Sequence, residues 1–171
     1  MDKGYLIIID TNCINARQRD PALNELERFL EEDNIGLETT DTLLNELERN
    51  KGYPKGQQKA GKYIFSMGPM VLGHSKFGTS ILGSEEDDNR LGEVLKIIFG
   101  HKSRSSYSAD EMGDAVQVST AIRYGAKFFV TRDGDLLRKS NEIKDKFEVT
   151  IINPEECVSV VKSRLAKLSK I

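Results

Sequence analysis

DAVQVSTAIRYGAKFFVTRDGDLL, residues 114–137, holds a helix, its stop, a strand and the turn that follows. Ala115, Val118 and Ile122 recur at helical spacing and mark a buried stripe. The helix is predicted to run from about Asp110 to Tyr124, with Asp110 as its N-cap, and to stop at Gly125, a residue suited to the left-handed C′ position. Lys127–Thr131, KFFVT, is apolar without alternation, as a strand covered on both faces reads in a parallel sheet. One acid, Asp133, stands just beyond that strand.

Outward from this stretch the pattern repeats. Tyr5–Ile9 is a second strand of the same buried type, ending at Asp10. Asp20-Pro21 opens a helix, Asp as N-cap and Pro at the first position, with Leu23, Leu26, Phe29 and Leu30 inward. Ile35–Leu37 suggests a short strand, and Thr40 or Asp41 can cap a helix that buries Leu43, Leu44 and Leu47. Ser84 caps another helix, with Leu91, Val94, Leu95 and Ile98 on its apolar face. Glu148–Ile152 reads as a strand, and Asn153-Pro154 opens a last helix with Cys157, Val161 and Leu165 inward. Strands alternating with helices indicate an α/β domain built from βαβ units around a mainly parallel sheet.

At 171 residues the chain is expected to form one domain, residues 1–171. The net charge of −2, from 25 basic and 27 acidic residues, excludes a polycationic chain; a nucleic-acid partner would have to be met by local basic groups. Two cysteines and two histidines make neither a disulfide framework nor a zinc cluster. Cys13 and Cys157 read as small buried hydrophobes. Tyr5–Ile9 is too short for a signal segment or a membrane span, so a cytoplasmic protein without membrane contact is expected.

Residues 50–83 hold seven of the fourteen glycines and little periodicity. An insertion at about 50–108 is expected, with one short helix around Gln57–Phe65, serving as a flap or partner surface.

Four acids then stand out by placement. Asp10 and Asp133 follow strands, and in open α/β sheets ligands bind outside the carboxyl ends of the strands. Asp114 precedes its helix's apolar stripe, and Glu46 borders the Leu43/Leu44/Leu47 stripe; Glu48 falls on the solvated side. Each alone has an ordinary explanation as turn former, dipole partner or solvated flank. Together they would converge and repel unless a cation neutralised them. Oxygen ligands without His or Cys specify a hard divalent ion, Mg²⁺ or Mn²⁺, and so metal-assisted phosphodiester hydrolysis.

The segments IIIDTNCI, TLLNELER and DAVQVSTAIRYGAKFFVTRDGDLL, in this order, resemble those of the PIN-domain ribonucleases, especially VapC-type toxins of toxin–antitoxin pairs. The resemblance implies a three-layer α/β/α domain and a Mg²⁺/Mn²⁺-dependent endonuclease that cleaves RNA with a metal-activated water. It carries the family's acidic quartet onto Asp10, Glu46, Asp114 and Asp133, as metal ligands and catalytic groups. Thr11 or Asn12 and Thr131 become polar helpers, Asp135 a further acid, and Asp110 a candidate neighbour of the site. It also implies an antitoxin or other protein partner and a homodimer whose acids line a shared groove.

Asn50–Ser108 shows no match, and compact toxins of this type have a shorter middle. That segment carries KGYPKGQQKAGK; Lys55, Lys59 and Lys62 would share a helical face and, with Arg132, Lys102 and Arg104, are candidate phosphate contacts. A non-catalytic PIN-like module binding RNA or protein is the main alternative. A haloacid-dehalogenase-type phosphatase would need Asp-x-Asp after strand one, where this chain has Asn12.

Overall fold

The computed structural model describes residues 4–14, 18–32, 34–49, 54–61, 63–71 and 80–169. Its centre is a five-stranded, all-parallel sheet in the order β3-β2-β1-β4-β5. The strands are β1 (Tyr5–Ile9), β2 (Ile35–Thr40), β3 (Ile64–Ser66), β4 (Phe128–Val130) and β5 (Thr150–Ile152). The helices are α1 (Pro21–Glu31), α2 (Asp41–Arg49), α3 (Pro54–Ala60), α4 (Glu85–Phe99), α5 (Ala109–Arg123), α6 (Gly134–Arg138), α7 (Ser140–Phe147) and α8 (Pro154–Leu168). The architecture is the expected PIN-like α/β/α sandwich.

The unbroken apolar run of β1 is explained by its central place. Ile7 and Ile9 face a core formed with Leu26 and Phe29 of α1, Leu43 of α2 and Cys157 and Val161 of α8. Ile8 points the other way, into a core with Leu95 of α4, Val116 of α5 and Ile143 of α7. Successive strand residues therefore serve opposite layers, and each buried isoleucine contributes about 1.5–3 kcal/mol. β4 repeats the device, with Phe128 and Val130 in one core and Phe129 in the other.

Helix starts follow local chemistry. The Asp20 carboxylate accepts from the N–H groups of Ala22 (3.0 Å) and Leu23 (3.1 Å) ahead of Pro21. Thr40 caps α2, its hydroxyl accepting from Leu43 N–H at 3.1 Å. Ser84 with Asp87, and Ser108 with Glu111, form reciprocal capping boxes. Ser108 thus takes the N-cap position expected of Asp110, and Asp110 moves into the first turn of α5. Gly125 has the anticipated left-handed backbone, φ +65°.

The middle segment departs most from expectation. Its helix, α3, begins and ends earlier than the predicted Gln57–Phe65, and Ile64–Ser66 instead forms the edge strand β3. Downstream, the amide of Met70 donates to Ile81 O at 2.8 Å, and that of Ile81 to Gly68 O at 3.1 Å. The buried Asp41 carboxylate ties this neck to α2, accepting from Gly68 N–H at 2.8 Å and from the Ser80 hydroxyl. No helix among the described residues is long and apolar enough to cross a membrane.

Candidate active site

The strand order sends the chain from β1 to β2 on one side, while β4 closes the other. The crevice at the carboxyl ends of β1 and β4 is therefore the topological switch point, where an open α/β sheet receives ligands.

Asp10 leaves β1 there, only 4% exposed. One carboxylate oxygen accepts from Thr11 N–H at 2.6 Å and the other from the Thr131 hydroxyl at 2.6 Å. Burial pushes its pKa up, and these bonds oppose the shift. Thr131, just past β4 and fully buried, is a node: its hydroxyl also accepts from the Asn12 amide at 3.2 Å and from Asp133 N–H at 2.9 Å. Asn12 in turn accepts from Arg132 N–H at 3.1 Å, so the turn after β1 is fastened to the turn after β4.

Asp133 is the N-cap of α6, where one oxygen accepts from Asp135 N–H (2.7 Å) and Leu136 N–H (3.1 Å). Glu46 reaches in from α2 and accepts from the Thr11 hydroxyl at 2.5 Å. Burial raises its pKa, and the charges of Asp10 and Asp110 add to that.

Asp114, in the second turn of α5, is strongly perturbed. Its pKa is raised to about 7, first by burial and then by the charges of Asp10, Glu46, Asp133 and Asp110. Among the described residues it accepts no hydrogen bond. The quartet that the sequence singled out is thus one electrostatic neighbourhood, with Asp110 at its margin. Asp135 lies apart: it is exposed and pairs with Arg138.

Sequence reasoning passed over Gln117. Fully buried on α5, it sits three residues beyond Asp114 and points its amide nitrogen at Glu46 and Thr11. The spacing Asp110–Asp114–Gln117, one helical face, was the available signal.

The candidate phosphate contacts are mostly committed elsewhere. Arg132 pairs with Asp20 and with Glu155 (2.8 Å). Lys59 bonds Glu27 at 2.6 Å, and Tyr63 shares that carboxylate. Lys102 pairs with Glu111 (2.7 Å) and Arg104 with Asp88. Lys55 is exposed, and Lys62 lies outside the described residues. Cys13 and Cys157 are buried, each thiol pushed up to about 12 by burial.

All donors facing the crevice are oxygen or amide groups, and this chemistry fits a hard divalent cation. The acids are not drawn into a preformed cage: among the described residues no three His, Cys, Asp or Glu side chains are spaced to hold one ion. The fit rests on crowded carboxylates, of which Asp114 has no hydrogen-bond donor among the described residues.

No protein-family model matches the chain, and no curated protein matches it. Among solved structures it is similar to a chain of VapBC2 from Rickettsia felis bound to a DNA fragment from their promoter. The TM-score is 0.50 over 86% of this chain and 98% of that one, at 17% sequence identity. At that identity the likeness is one of fold, and it agrees with the VapC-like pattern of the motifs.

Proposed function

We propose that the chain is a PIN-type endoribonuclease that uses Mg²⁺ or Mn²⁺ held by Asp10, Glu46, Asp114 and Asp133. The observation that carries this is the gathering of these carboxylates at the switch-point crevice, with Asp114 raised to about 7 by burial and by its acidic neighbours. Such a cluster is destabilised by its own charge and is relieved by a cation. When bound, the ion would lower the pKa of a coordinated water and neutralise charge on the phosphoryl oxygens.

The chain's own groups supply the frame. Thr131 holds Asp10 from β4, Thr11 holds Glu46, and Asn12 locks the two strand-end turns together. Asp133 gives one oxygen to the amides of α6, and its charge acts on Asp114 and Asp10. RNA would meet this acidic crevice through local cations, of which Lys55 is exposed while Lys59 and Arg132 would have to exchange carboxylate partners for phosphate.

The neighbour VapBC2 is a complex bound to DNA, and an antitoxin-like protein partner is proposed for this chain too. Ile64, Phe65 and Met67, exposed along the β3 edge, supply apolar surface that such a partner or a second copy would cover.

The test is cleavage of RNA with Mn²⁺ or Mg²⁺ by wild type, Asp10→Asn and Asp114→Asn. Cleavage is expected only for wild type and only with the metal. Cleavage that survives chelation, or both substitutions, refutes the assignment. The second reading, an RNA- or protein-binding module, is favoured by the absence of preformed ligand spacing among the described residues; RNA binding with Mn²⁺ present and no cleavage would establish it.

A further inference from the structure

Gln117 sits where α5 would otherwise continue its buried apolar surface, between Val116 and Val118 and fully enclosed. Its amide nitrogen lies 3.3 Å from Thr11 Oγ1, and 3.3 and 3.4 Å from the two oxygens of Glu46. Three acceptors around one nitrogen fix the orientation of the amide, with its N–H groups toward the acids. The carbonyl end then faces away and, among the described residues, has no hydrogen-bond partner, although it is buried.

That arrangement is unfavourable for stability alone. A buried unpaired carbonyl costs free energy that an apolar residue of the same size would avoid. The amide's gain lies on the other side, at Glu46. Thr11 supplies one strong bond to a single Glu46 oxygen, and that bond leaves the carboxylate free to rotate about it. The charges of Asp10 and Asp110 act on Glu46 as well. A donor spanning both carboxylate oxygens opposes that rotation. A neutral donor does so without bringing a positive charge, so the cluster keeps its full attraction for a cation. Lysine or arginine at this position would hold Glu46 and cancel part of that attraction.

We infer that Gln117 is a positioning residue, a neutral amide retained at a cost in stability to fix the Glu46 carboxylate and the Thr11 hydroxyl for a divalent cation. This rests on the functional reading above.

The experiment compares wild type, Gln117→Met, Gln117→Leu and Asp114→Asn in metal-free melting, Mn²⁺ binding by calorimetry and single-turnover RNA cleavage. Both Gln117 variants are expected to melt at or above the wild-type temperature. Their Mn²⁺ affinity and cleavage rate should fall about 10- to 100-fold, as when the partner that orients a ligand is removed. The KM for RNA should stay unchanged. Wild-type binding and cleavage in both variants would overturn the inference, and so would variants that melt lower or fail to fold, since the amide would then be structural. If wild type itself neither binds Mn²⁺ nor cleaves, the assignment of the site falls and this inference with it. If wild type and Asp114→Asn differ as expected while Gln117→Met matches wild type, this inference alone falls.

Discussion

The Thr131 hydroxyl donates to the Asp10 carboxylate at 2.6 Å across 121 positions of sequence. Thr131→Val keeps the shape and removes the donor, leaving one oxygen of a buried carboxylate without its partner. A loss of about 1–3 kcal/mol of stability is expected, measured by urea unfolding. Thr131→Ser should retain most of it. Equal stability of the valine and wild-type proteins would show that the bond contributes nothing.

The acid cluster sets a pH dependence whose sign is fixed by Asp114. Its carboxyl titrates near 7 in the folded protein against an ordinary 3.8, so at intermediate pH the folded state holds a proton that the unfolded chain has released. The stability this supplies is complete below about pH 4 and is lost as pH rises through about 7. Asp10 and Glu46 shift in the same direction. Metal-free protein should melt higher at about pH 5 than at about pH 8, and Asp114→Asn should flatten the slope. Mn²⁺ should raise the melting temperature most at the alkaline end. A wild-type melting temperature that climbs with pH over this range contradicts the assignment.

Asp87 behaves oppositely. It is buried between Arg90 and Arg123, both at 2.6 Å, and it accepts from Ser84 N–H and hydroxyl at 2.9 Å. Burial alone would raise its pKa, but the Ser84 and Arg90 hydrogen bonds hold it down to about 2. Its contribution is therefore complete at neutral pH and is lost only as pH falls through about 2. Asp87→Ala leaves two arginines without their shared partner and should cost about 3 kcal/mol. It joins the start of α4 to the end of α5, away from Asp114, so RNA cleavage per folded molecule should be unchanged.

Gly68 is required by crowding. A Cβ there would lie 2.5 Å from Thr120 Oγ1 and 3.2 Å from Asp41 Oδ1. Thr120 is β-branched and its hydroxyl is bonded to Val116 O at 2.7 Å, so it has little room to turn away. Gly68→Ala should destabilise by about 1–3 kcal/mol, and adding Thr120→Ala should recover part of that loss in a double-mutant comparison by thermal unfolding.

The sequence showed the parts of the site that strand ends determine. Asp10 and Asp133 follow β1 and β4, and apolar runs without alternation made those strands plain. Asp114 followed from the Ala115/Val118/Ile122 stripe. One reading failed and one residue was missed because a nearer pattern was overlooked. Ser108-x-x-Glu111 is a capping box in the sequence itself, and it moves the helix start ahead of Asp110. Gln117 was not singled out, though it shares a face with Asp110 and Asp114. The strand β3 was illegible for a different reason. It is three residues long, at the edge, with Ile64 72% exposed, so neither length nor burial pattern marks it. The partners of Lys59 and Arg132 lie far off in sequence, in α1, at its N-cap and in α8, and no local rule reaches them.

The pairing of Ile7 with Phe128 carries a consequence for synthesis. Translation delivers Asp10 well before the flank it leans on, which arrives only with β4. A ribosome that has not passed Phe128 has made a chain with a central strand open on one side. That chain lacks Asp114's exit strand, the hydroxyl that holds Asp10, and Asp133 as well. The crevice therefore cannot form until β4 has emerged, and any termination ahead of Phe128 yields a product without it.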